Sequence, residues 1–120
     1  MDYRMITDVT SQQYRMAQEA TKREGLLYYR GFICVALGSY YGGIGTVLRI
    51  TLSTGEQFTA IKAEEKSDAH TVDGCYIPDN DNIIEFIIDS DTMPASVLDA
   101  GDISALAGFE GEIINIERMK

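Results

Sequence analysis

Apolar and polar positions along the chain change period once, near Leu26. Before that point Val9, Met16, Ala17 and Ala20 recur at helical spacing around Thr10-Ser11-Gln12-Gln13. This tetrapeptide fits a capping box, in which the Thr10 hydroxyl and the Gln13 side chain satisfy backbone groups at the start of a helix. The pattern predicts a helix to about Arg23, with Gly25 behind Lys22 and Arg23 as its C-terminal signal. Its apolar face is too narrow for a main core. Residues 1–25 therefore read as an N-terminal helical arm that docks on the domain or leads in from an upstream segment.

From Leu26 the pattern is that of β-structure. Residues 28–37 are rich in aromatic and β-branched side chains, and residues 46–53 alternate, with Leu48, Ile50 and Leu52 on one face. Thr54-Gly55 joins this strand to residues 56–63 and signals a hairpin. A polar excursion over residues 64–82 follows, longer than ordinary connections and so a candidate functional loop. Residues 82–89 read as a strand, Pro94 opens a short helical turn to Leu98, and residues 112–118 close the chain as a strand with Ile114 and Ile116 facing one way. The sum is a mostly-β domain over residues 26–120, with five or six strands and no internal repeat. For strands this short, closure into a small barrel buries both ends and protects the edges.

Length and charge narrow the class. A chain of 120 residues suits one hydrophobic core, and its 45% apolar and 24% charged residues are ordinary for a globular protein. The longest apolar runs are far too short to span a bilayer. A net charge of −9 repels a phosphate backbone, so nucleic acid is excluded as an expected partner. The opening MDYRMITDVTSQQ carries no basic start followed by an apolar core, and no secretory signal is visible in it. Cys34 and Cys75 lack zinc or redox spacing; they read as one core and one loop cysteine, with a disulfide outside the cell as the alternative. Nothing in the pattern fixes an oligomeric state.

Candidate chemistry sits in three places. The GGIG run, residues 42–45, leads into a strand rather than opening a helix, so it reads as a tight turn needing positive φ instead of a phosphate cradle. The acidic run Asp79-Asn80-Asp81-Asn82 offers oxygens to a hard cation, but a helix-loop-helix calcium site needs a glycine at its sixth position and a glutamate at its twelfth. It reads as a solvated turn, and no metal or cofactor is expected. The third place joins Asp68 with Glu85 and Asp89. The last two share a strand face, with α-carbons about 13 Å apart at roughly 3.3 Å per residue. That exceeds the roughly 5–9.5 Å between the paired carboxyls of ordinary glycosidases. These acids either face solvent or line a cleft in which one acquires a raised pKa. His70, the only histidine, stands in the polar loop two residues after Asp68.

The order of these features resembles a known family. VALGSYYG followed by IGT, a hairpin, a loop with Asp68, a strand carrying an acid at 85 and another at 89, a PxxV turn and a closing strand is similar to the three-aspartate (3D) domain. That family belongs with the double-psi β-barrel proteins, which include MltA-like and RlpA-like lytic transglycosylases and the expansins. The resemblance covers roughly residues 32–117. It implies a six-stranded double-psi β-barrel located outside the cell or in the cell wall, acting on peptidoglycan. Asp68 and Asp89 match two of the family's three aspartates; Glu85 stands where the other is expected, keeping the charge on a longer side chain. The implied reaction cleaves the MurNAc–GlcNAc bond with formation of a 1,6-anhydro product. The sugar's own 6-hydroxyl is the nucleophile, so one acid/base, Asp68, suffices, with Glu85 and Asp89 tuning and orienting it. Tyr40 and Tyr41 are expected to contact sugar rings, and Lys62, His70 and Thr71 polar substituents. The alternative expectation is a non-catalytic glycan-binding or protein-interaction module of phage or mobile-element origin that uses the same groove.

Overall fold

The computed structural model describes residues 1–66, 74, 84–100 and 109–119. Two tight hairpins open the sheet. Strand β1 (Thr21–Arg23) pairs antiparallel with β2 (Leu26–Tyr29), and β2 pairs antiparallel with β3 (Phe32–Leu37). The two-residue loops are Glu24-Gly25 and Arg30-Gly31, and in both loops both residues have positive φ, between 51° and 86°. Positive φ at both positions is the requirement of a type I′ turn, whose twist matches that of the flanking strands. A β-carbon on Gly25 would also collide with Met93, so only glycine fits that position.

These hairpins correct two expectations. The single strand predicted over residues 28–37 is broken at Arg30-Gly31, and the predicted helix ends before Thr21. Helix α1 (Gln12–Glu19) is capped by Ser11, whose Oγ accepts a hydrogen bond from the Tyr14 N–H at 3.0 Å. The Thr10 hydroxyl instead donates to Asp8 Oδ1 at 2.6 Å. The cap therefore lies one residue later than the capping-box reading places it.

Strand β4 (Val47–Leu52) and β5 (Gln57–Glu65) form the predicted hairpin, and β5 then runs parallel to β3. Ala63 is the extra residue of a bulge in this parallel pair, since Val35 faces Lys62 and Ala36 faces Glu64. A short β6 (Glu85–Phe86) takes the far half of the β3 edge that β2 leaves free, with Ala36 opposite Glu85. Helix α2 (Ala95–Ala100) follows Pro94, and β7 (Ile113–Arg118) pairs with β4. A bulge at Ile114 puts Ile113 and Ile116 against the core and leaves Ile114 64% exposed, which corrects the predicted pairing of Ile114 with Ile116 on one face.

The described strands make one mixed sheet in the order β1-β2-β3-β5-β4-β7, with β6 on β3. The mostly-β class and the N-terminal helix stand as expected. Among the described residues the strands number seven rather than six, and their path is open between β1 and β7 rather than closed into a barrel.

Alternation along the strands builds a core on each face. Leu26, Ile33, Val35, Ala60 and Phe86 join Leu48, Ile50, Met93 and Val97 in one cluster. Their neighbours Leu27, Cys34, Ile61 and Ile87 join Ile6, Met16, Ala17 and Ala20 in the other. The N-terminal helix therefore docks, and small residues suffice because it covers only the second face. Leu48 and Ile50 are fully buried and each contributes about 2 kcal/mol relative to exposure. Phe58, Phe86 and Phe109 meet with ring centroids 5.2–5.9 Å apart and close the first cluster.

Candidate functional site

Of the residues singled out from the sequence, Asp68, His70 and Thr71 lie outside the described residues, as do Cys75 and the run 79–82. Lys62, Tyr40, Tyr41, Glu85 and Asp89 are placed, and they do not share one environment.

Lys62 is wholly buried on β5. Its ammonium donates to the Gly38 carbonyl at 3.1 Å, to the Gly42 carbonyl at 2.7 Å and to Glu65 Oε1 at 2.8 Å. An ammonium has three donors, and all three are taken within the chain. The residue expected to touch sugar substituents therefore pins the turn that carries Tyr40 and Tyr41. That turn, a 3-10 segment over Ser39–Tyr41, is also held by the Tyr40 N–H, which donates to the Gly74 carbonyl at 3.2 Å. Gly42 and Gly45 adopt the positive φ expected of the GGIG run. Tyr40 is 65% exposed, while Tyr41 packs partly against the first core cluster. Their rings meet edge to face at 5.0 Å.

Glu85 lies opposite Ala36, one residue before the end of β3, with its side chain 43% exposed. Its Oε1 is 3.2 Å from the Met1 amino nitrogen, which also donates to the Phe86 carbonyl at 2.7 Å. Lys66 sits close by, with its backbone N–H on the Leu37 carbonyl at 2.9 Å. Burial pushes the Lys66 ammonium below its ordinary pKa, and the Glu85 carboxylate opposes that fall.

Asp89 is set differently, with a side chain only 6% exposed. Its Oδ1 accepts from Arg4 Nη2 at 2.9 Å and from the Asp91 N–H at 3.2 Å, and its Oδ2 from the Thr92 hydroxyl at 3.3 Å. Arg4 also grips Asp2 and Asp91, at 2.8 and 2.6 Å. Asp2 in turn accepts from the Ser90 N–H and hydroxyl. Burial pushes the Asp2 carboxyl up, but these hydrogen bonds from Arg4 and Ser90 outweigh it and hold its pKa at about 2. Residues 1–4 thus form a strap along residues 86–91, bridged between Asp2 and Ile88. The two acids read as sharing a strand face are separated in role: β6 ends at Phe86, and Asp89 has entered the turn beyond it.

Sequence reasoning passed over Arg4, Asp2 and Lys66. Arg4 meets Asp89 across 85 positions, which no local pattern signals. Lys66 stands two residues before Asp68, and that proximity was the available clue. Cys34 is a free thiol at the core of the second cluster, where burial raises its pKa to about 11. Among the described residues no helix is long and apolar enough to cross a membrane. Compared with models of known protein families, with curated proteins and with solved structures, the chain matches none.

Proposed function

We propose that the chain is a peptidoglycan-active domain of the three-aspartate type, working outside the cell or in the wall, and that its seven described strands, whose path is open, are a variant of the double-psi β-barrel fold. One observation carries the reading. Lys66, two residues before Asp68, is fixed beside Glu85 to the end of β3, the strand that leads into the exposed Tyr40 turn. The segment bearing Asp68 thus starts next to Glu85, the more accessible of the two described acids. In this reading Asp68 protonates the glycosidic oxygen as it leaves and then accepts the proton of the sugar's 6-hydroxyl as that oxygen closes on the anomeric carbon. Glu85 raises the pKa of Asp68 by like-charge repulsion, and Lys66 limits how far. Tyr40 offers an exposed face to a sugar ring. Asp89, held by Arg4, supports the fold.

Incubation with purified peptidoglycan tests this, with mass spectrometry of released 1,6-anhydro-muropeptides. The wild type is expected to release them, Asp68→Ala to release none, and Glu85→Gln to slow release by about 10²-fold, the low end for general acid–base catalysis. Equal product from wild type and Asp68→Ala would remove Asp68 from its role. Co-sedimentation of the wild type with peptidoglycan without any product would leave the domain as a glycan-binding module.

A further inference from the structure

A concave surface lies between α1 and the sheet, near the start of β3, and Glu85 is not among the residues that line it. It is a groove of about 480 Å³, within the range that holds small molecules. Met16, Phe32 and Val47 give it an apolar floor, and Arg15 and Arg30 stand on its walls. In a chain with 19 acidic residues and a net charge of −9, no carboxylate among the described residues lines this groove. Neither arginine has an ion-pair or hydrogen-bond partner for its guanidinium among the described residues. By contrast, Arg4 grips three carboxylates in the strap.

Both arginines are mounted on short, well-defined structure. Arg15 sits in the first half of the capped helix. Arg30 occupies the β2–β3 turn, where its guanidinium carbon lies 5.2 Å from the Tyr29 ring centroid. Stacking on an aromatic face leaves the guanidinium edge free to donate, and that planar edge matches a carboxylate or phosphate.

We infer that this groove binds a small organic anion, a carboxylate or phosphate on an apolar body, with the charged group between Arg15 and Arg30 and the body on the Met16–Phe32–Val47 floor. The site is independent of the proposed glycan chemistry, since it uses none of the same residues.

NMR titration of the isotope-labelled full chain tests it, with phenylacetate and phenyl phosphate as probes and phenylacetamide as the uncharged control. Both anions are expected to shift the Arg30 and Gly45 amides saturably, with Kd tighter than about 1 mM for at least one. The tighter of the two identifies the headgroup. Arg15→Gln and Arg30→Gln should each weaken binding about tenfold, the effect of one charge-assisted contact. Both positions are exposed, so circular dichroism should show the variants folded. Raised salt should weaken binding of the wild type. Absence of saturable shifts with either anion would overturn the inference. So would equal affinity for phenylacetamide, or undiminished binding by folded variants.

Discussion

Lys62 and Asp89 are opposite charges in matching positions, each nearly or wholly buried and each fastening an irregular segment to the sheet. At Lys62 the cation is met by two backbone carbonyls and by Glu65, whose side chain is 48% exposed. At Asp89 the anion is met by Arg4, 45% exposed, and by donors of its own turn. Glu85, with its side chain 43% exposed, has neither kind of enclosure. The contrast separates charge that holds the fold from charge left accessible for chemistry. A buried charge persists only where its partners replace water, and those same partners occupy the donors or acceptors a substrate would need.

The largest effect is expected from breaking the buried cation. Lys62→Met keeps the volume of the side chain but leaves the Gly38 and Gly42 carbonyls without their donor. Buried acceptors without partners cost roughly 1–3 kcal/mol each, so a loss of about 3 kcal/mol is expected in urea denaturation. A loss below about 1 kcal/mol would show that water reaches these carbonyls, and Lys62 would then be open to the sugar contact first expected of it.

That burial was not legible in the sequence. Lys62 stands in a strand whose alternation is plain, but its acceptors are 20 and 24 positions away in a turn, and the pattern of β5 does not reveal that the turn folds over it. The β4–β5 hairpin was readable because Leu48, Ile50 and Leu52 alternate up to a Thr-Gly turn, so local signals agreed. β1 was missed because Thr21-Lys22-Arg23 and Gly25 together also make a good helix end. The Arg30-Gly31 turn was missed because arginine is an uncommon residue at positive φ. In the candidate site, the alternation that sets Glu85 opposite Phe86 was visible. The strap was not, since Arg4 reaches Asp89 only after the chain has folded.

The strap's share is smaller and can be measured with acid. Asp2 has a folded pKa near 2 against an ordinary value of 3.8. Its contribution is therefore fully present well above pH 3.8 and is lost as pH falls through that value toward 2. Allowing for solvent screening, it amounts to about 1 kcal/mol at neutral pH. Asp2→Asn should be less stable than the wild type by about that amount at pH 7, and the gap should close as pH falls toward 2 in parallel thermal melts. A gap constant with pH would mean that the strap is held without the charge on Asp2.

The smallest stability effect is expected at Glu85, and its smallness is what distinguishes it. Glu85→Gln removes a charge that is 43% exposed and sits beside Lys66 and the Met1 amine. Exposed pairs of this kind contribute little, so the change in unfolding free energy should stay within about 0.5 kcal/mol. Losing the carboxylate removes the influence that opposes the fall of the Lys66 pKa, so that ammonium should titrate still lower in the variant. A double-mutant cycle with Lys66→Met isolates the pair, and a coupling of no more than about 0.5 kcal/mol is expected. A cost above about 2 kcal/mol for Glu85→Gln alone would place Glu85 with Asp89 and Lys62 among the charges that hold the fold. Any loss of glycan release in that variant would then reflect structure, and Glu85 would drop out of the proposed chemistry.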